Sequence, residues 1–130
     1  MSTAPTPRRI VPLLTELGEV SGHRFILMSL EDWGDWCDLR FARVGIDAGT
    51  TLPRRIPPAH SWRVWTEDGD LTVEDAVGRG DRDMSIGEVR LRPGLPHDPV
   101  RIHIEVEVLK GVEPLRTYID VPAPEAVTGP

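Results

Sequence analysis

The sequence predicts an all-β domain: a two-sheet antiparallel sandwich of seven or eight short strands. Two observations carry the prediction. Apolar residues recur at every second position in one segment after another, and proline or glycine punctuates the chain about every ten residues. A third observation is that helical spacing occurs in one segment only, and that segment also reads as a strand.

In chain order, residues 1–9 are rich in Ser, Thr and Pro and are expected to form a flexible arm. From there the domain is expected to run over residues 10–122. Ile10, Leu13, Leu14 and Leu17 fall at i, i+3, i+4 and i+7, one face of a helix, yet Pro12 sits inside so short a helix and its neighbours suit an edge strand. The strand is the favoured reading. His23 to Leu30 is more continuously apolar, as expected of a central strand covered on both faces. Cys37, Leu39 and Phe41 then alternate with Asp38, Arg40 and Ala42.

Trp62 and Val64 share one face, opposite Arg63 and Trp65. The turn Glu67-Asp68-Gly69-Asp70 leads into Leu71 and Val73, so residues 62–74 read as a hairpin. Val89 and Leu91 alternate with Glu88, Arg90 and Arg92 up to Pro93-Gly94. The cleanest strand places Ile102, Ile104, Val106 and Val108 on one face and Arg101, His103, Glu105 and Glu107 on the other. Leu115, Thr117, Ile119 and Val121 repeat the pattern across a Gly111-Val112-Glu113-Pro114 link, a second hairpin. Residues 123–130 are Pro-rich and are expected to be a flexible tail. The strand count suits an immunoglobulin-like sandwich, with a small β-barrel as the alternative.

The length of 130 residues suits a single domain with its own core. A net charge of −6, spread along the chain, argues against nucleic acid or an anionic membrane as partner; Arg8–Arg9 and Arg54–Arg55 are too short to override it. There are fourteen Arg, one Lys and no Asn or Gln, which reads as the codon usage of a GC-rich genome rather than selection for phosphate contacts. The single cysteine, Cys37, excludes an intrachain disulfide. Apolar runs such as Phe25–Met28 fall far short of a membrane span, and the polar, proline-containing start does not read as a secretory signal, so a cytoplasmic location is expected.

Candidate chemistry is sparse. His23, His60, His97, His103 and Cys37 show no zinc-like pairing and are read as exposed imidazoles and an inert core thiol. Glu67, Asp68 and Asp70, or Asp81 and Asp83, resemble calcium ligands, but turn chemistry accounts for them. No nucleophile elbow or phosphate-cradling loop is present, and Arg79-Gly80-Asp81 matches an integrin-recognition tripeptide by chance. Neither a catalytic residue, a metal nor a cofactor is therefore expected. The four tryptophans remain. Trp62 is expected in the core, whereas Trp33, Trp36 and Trp65 are candidate binding residues at the surface.

Several phrases occur together: Ser29-Leu30-Glu31-Asp32-Trp33, Trp62-Arg63-Val64-Trp65 ahead of Glu67-Asp68-Gly69, Leu91-Arg92-Pro93-Gly94-Leu95-Pro96, and Tyr118-Ile119-Asp120-Val121-Pro122. Their order resembles small immunoglobulin-like β-sandwich proteins of high-GC actinobacteria, over residues 10–122. The resemblance implies the fold and brings no activity or catalytic residues with it. The function expected is a non-catalytic protein-interaction or structural module, acting through a strand edge or a tryptophan-bearing face. Alternatives are carbohydrate or small-ligand binding on a tryptophan surface and an enzyme of unrecognised type.

Overall fold

The computed structural model describes residues 6–46, 52, 54, 56–81 and 83–124. It is all-β, with eight strands: β1 (Arg9–Val20), β2 (His23–Asp32), β3 (Cys37–Gly45), β4 (Trp62–Thr66), β5 (Gly69–Gly80), β6 (Met84–Arg92), β7 (Val100–Val106) and β8 (Leu115–Val121). A single 3-10 turn, Ala59–Ser61, precedes β4. The arm expected over residues 1–9 lies mostly outside the described residues, as does the end of the tail from residue 125.

All pairings are antiparallel, in the order β1-β2-β3-β6-β5-β4-β7-β8. Strands β4, β5 and β6 form a meander; β7 returns beside β4 and β3 lies beside β6, which makes two overlapping Greek keys. β5 is the hinge of the architecture. Its first residues pair with β4 (Val64 opposite Leu71) and its remainder with β6 (Gly78 opposite Gly87). Two half-sheets therefore share β5 and enclose one core, and β1 meets β8 on the far side, so the sandwich is nearly a barrel.

Alternation explains which residues fill that core. Phe25, Leu27, Leu39, Phe41, Trp62, Val64, Val89, Leu91, Ile102, Ile104, Val106, Ile119 and Val121 point inward, while the opposite faces are mostly open to water, save on β3, where Asp38 and Ala42 are buried too. Gly87 is required by one close approach: a Cβ there would enter the Phe41 ring. The cover expected on both faces of β2 is only partial. Arg24 is exposed, and Ile26 and Met28 are half-buried on the outer face.

The segment over 10–18 is strand, and the structure shows why it imitated a helix. Two bulges, between Pro12 and Thr15 and between Glu16 and Gly18, shift the inside–outside parity of β1. Leu14 sits in the first with φ +46°, its side chain 75% exposed, while Leu17 points inward. The β1–β8 seam is closed by contacts at its two ends. Gly18 packs against the Leu115 side chain, and the Arg9 guanidinium donates to the Pro122 carbonyl.

Each end of the barrel is plugged by an arginine. At one end the buried Asp32 carboxylate accepts from Arg8 (3.0 Å), from Arg9 Nε (2.7 Å) and from the Gly34 N–H (3.0 Å). Arg9 continues to the Pro96 carbonyl and Arg8 to that of Leu95. At the other end the buried Arg43 meets His23 Nδ1 at 2.7 Å, donates to Ser85 Oγ at 2.8 Å, and reaches the Asp81 carbonyl. His23 was expected to be an exposed imidazole; it is buried, because it shares the inward parity of Phe25 and Leu27.

Candidate functional site

Trp62 and Trp65 lie on one short strand with opposite fates, as parity dictates. Trp62 packs on Phe41 in the core, with its indole N–H donating to the Pro57 carbonyl at 3.2 Å. Trp65 stands on the outer face of β4. Across the ladder its register partner on β7 is His103, whose own partner on β8 is Tyr118. The three rings form a row: Trp65 and His103 are stacked at 5.3 Å with planes 14° apart, and His103 and Tyr118 lie 6.2 Å apart at 53°.

Two guanidinium groups close the row. Arg63 lies 4.4 Å above the Trp65 ring and Arg101 lies 4.1 Å above that of Tyr118. Their positions are held by Asp70 and Asp120 respectively. Asp70 is the register partner of Trp65 on β5, so Arg63 covers the face of the indole that His103 leaves open. Both π-faces of Trp65 are occupied. What the surface offers is an array of ring edges and guanidinium planes, with a cleft beside it between Trp65, Glu67, Pro99 and Arg101.

Trp33 and Trp36 belong to a different element, the tight turn joining β2 to β3. The turn is set by the Trp33 N–H bonded to the Trp36 carbonyl, the Gly34 N–H bonded to Asp32, and Gly34 at φ +93°. The two indoles are half-buried and stack at 5.9 Å with planes 10° apart. Arg90 and Arg92, on β6, lie 5.1 Å and 5.5 Å from the Trp36 ring. Arg90 is fixed by a fork of two bonds to Asp38 (3.0 and 3.1 Å), and Arg92 is paired with Glu74. Among the described residues neither buried indole N–H group has a hydrogen-bond partner, an arrangement costing about 1–3 kcal/mol each. The structure does not bring Trp65 to Trp33 and Trp36: the two arginine–aromatic stacks sit on different half-sheets.

The remaining candidates resolve into structural roles. Asp81 accepts from the Asp83 and Met84 N–H groups, and the Asp68 N–H donates to Thr66, so both acidic loops are occupied in turn formation. Among the described residues no group of three or more His, Cys, Asp or Glu is arranged to hold a metal ion. Cys37 is buried, and burial, together with the nearby Asp32 and Asp38 charges, pushes its thiol from an ordinary 9.0 up to about 12. It has no thiolate character near neutral pH. His97 is exposed and bonded to Arg8, and no described helix is long and apolar enough to cross a membrane.

His103, Tyr118, Arg63 and Arg101 were not singled out from the sequence as site residues. A signal was present. Aligning the alternation of residues 101–108 with that of 115–121 across their link puts His103 opposite Tyr118, both on the wet face. No family model matches the chain, and neither does any curated protein or solved structure.

Proposed function

We propose that the protein is a non-catalytic protein-binding module whose contact surface is the Arg63–Trp65–His103–Tyr118–Arg101 row. One observation carries this reading: Arg63, Arg101 and Tyr118 (51%) are exposed and Trp65 and His103 half-buried on one outer face, yet the Trp65 ring is already flanked by the Arg63 guanidinium and the His103 ring. A sugar ring stacks on an open aromatic face, and Trp65 has none to give. A protein partner can instead use ring edges and guanidinium planes, and Trp, Tyr and Arg are the residue types that dominate binding energy at protein interfaces. The acidic net charge, the lone cysteine and the arginine-rich composition fit a cytoplasmic module of a GC-rich bacterium.

The test compares wild type with Trp65→Ala/Tyr118→Ala as bait in an extract of a high-GC actinobacterium, read by quantitative mass spectrometry. The enriched protein is then purified and titrated against both baits. The double variant should bind at least about thirtyfold more weakly, the size of one lost hot spot. A partner whose affinity ignores the double substitution refutes the surface, as does the absence of any enriched partner. A glycan panel that shifts wild-type tryptophan emission, but not that of the double variant, would favour carbohydrate binding instead.

A further inference from the structure

The cations of this protein are paired almost throughout. Nine arginines hold a carboxylate partner, and Arg43 is enclosed by His23 and Ser85. Among the described residues the other cationic side chains are Arg54, Arg79 and Lys110, and none of these has an ion pair or a hydrogen bond. Two of them, Arg54 and Lys110, line the same cleft. In a chain of net charge −6, two unpaired cations at one opening are a local excess of positive charge that the fold leaves unmatched.

The cleft lies beyond the Trp62–Val106 end of the β4–β7 ladder, where the 3-10 turn ahead of β4 meets the chain leaving β7. Its volume of about 300 Å³ is at the lower end of the range for small-molecule sites. The walls are apolar: Pro57 is buried, and Leu52, Val108 and Leu109 are half-buried. Main-chain groups hold them in place. The Glu107 N–H donates to the Ser61 carbonyl and the Ser61 N–H to that of Pro58, both at 2.9 Å, while the Trp62 indole fixes the Pro57 carbonyl. The rim carries the exposed Arg54, His60, Glu107 and Lys110. No residue is shared with the aromatic row.

We infer that this cleft binds a small organic monocarboxylate, its head group between Arg54 and Lys110 and its apolar body against Leu52, Pro57 and Leu109. Three features of the cleft select that class. Apolar walls give an inorganic anion nothing to bury, so the ligand has a hydrocarbon or aromatic body. Two unpaired cations give a neutral apolar molecule no match, so the ligand carries an anionic head, which a guanidinium fork binds best as a carboxylate or phosphate. Glu107 decides between those two. With His60 neutral the rim holds two positive charges and one negative, a net +1 that a monoanion cancels and a phosphate dianion exceeds. The site is separate from the protein-binding row, so the module would carry a small molecule at one place and a protein at another.

Nuclear magnetic resonance titration of the full chain with phenylacetate tests this. Amide signals of His60, Ser61 and residues 107–110 should shift saturably, with a dissociation constant of about 1 mM or tighter, as suits a ligand of so few atoms. Acetate, which lacks the body, and phenylacetamide, which lacks the charge, should each bind at least about tenfold more weakly. Arg54→Gln and Lys110→Gln should each weaken phenylacetate by about two- to fivefold, the usual worth of an exposed charge pair. Glu107→Gln should tighten it by a similar factor, a gain that a damaged fold would not produce. Failure of phenylacetate to saturate by about 20 mM overturns the inference, as do shifts confined to other parts of the chain. So does phenylacetamide binding as tightly as the acid, or indifference to Lys110→Gln and Glu107→Gln together. Tighter binding of phenyl phosphate than of phenylacetate overturns the choice of a carboxylate.

Discussion

Asp32→Asn isolates the charge at the heart of the barrel's closed end. The substitution keeps the shape of the side chain and an acceptor for the Gly34 N–H, but it removes the countercharge of Arg9, whose side chain is only 6% exposed. Arg8, at 27%, can turn to water; Arg9 cannot. Stranding one member of a buried ion pair costs about 3–5 kcal/mol. For a chain of this size a change of 1 kcal/mol moves the melting midpoint by about 4 °C, so Asp32→Asn should lower it by about 12–20 °C. Thermal and urea unfolding followed by circular dichroism would read the loss. The companion Asp32→Leu/Arg9→Met removes both charges together and should cost less than Asp32→Asn alone, because an apolar pair of similar volume often replaces a buried ion pair without penalty. If Asp32→Asn unfolds within about 1 kcal/mol of wild type, Arg9 is not confined as argued and the reasoning fails.

Two further predictions follow from the core. Gly87→Ala drives a methyl group into the Phe41 ring and should destabilise by about 1–3 kcal/mol, with Phe41→Leu in the same chain recovering part of the loss; an unperturbed Gly87→Ala would show that the ring has room to move. Cys37, raised to about 12 in the folded state from 9.0, contributes stability that is complete below pH 9 and lost as pH rises towards 12. Urea midpoints should therefore fall more steeply over that window in wild type than in Cys37→Ala, and the thiol should react with a disulfide reagent at pH 8 only on unfolding; rapid reaction of the native protein would refute its burial.

The sequence made the hairpins legible because each of their strands buries one face, so local parity alone decides which residue goes where. β7 and β8 were readable to within two residues of their ends, and the split between Trp62 and Trp65 followed from the same rule. β1 was ambiguous for a physical reason. Its bulges break the period of two, and a broken period of two over Ile10, Leu13, Leu14 and Leu17 is indistinguishable from a period near 3.6. Arg8 and Arg9 resisted reading for another. As neighbours among prolines they looked like a solvated pair at the end of an arm, whereas their partner Asp32 is brought to them only by β1–β2 pairing. The insertion of β6 between β3 and β5 leaves no local trace at all, since each strand's alternation is the same whichever neighbour it finds. The aromatic row was half legible: its members lay on wet faces, but the alignment of β4 with β7, and hence the stacking of Trp65 on His103, came from the fold.

The Arg9 clamp also has a consequence for how the chain is made. Its guanidinium spans the earliest and latest parts of the domain, reaching Pro96 and then Pro122, 113 residues downstream. During synthesis the first two strands emerge and pair long before either carbonyl exists. Until the last strand leaves the ribosome, a cation that the finished barrel encloses must stay hydrated, and the seam between β1 and β8 must stay open. Closure is therefore tied to the emergence of β8 and Pro122, and nascent polypeptides halted short of Pro122 should remain accessible to proteases along β1 long after β2 and β3 have formed their ladder.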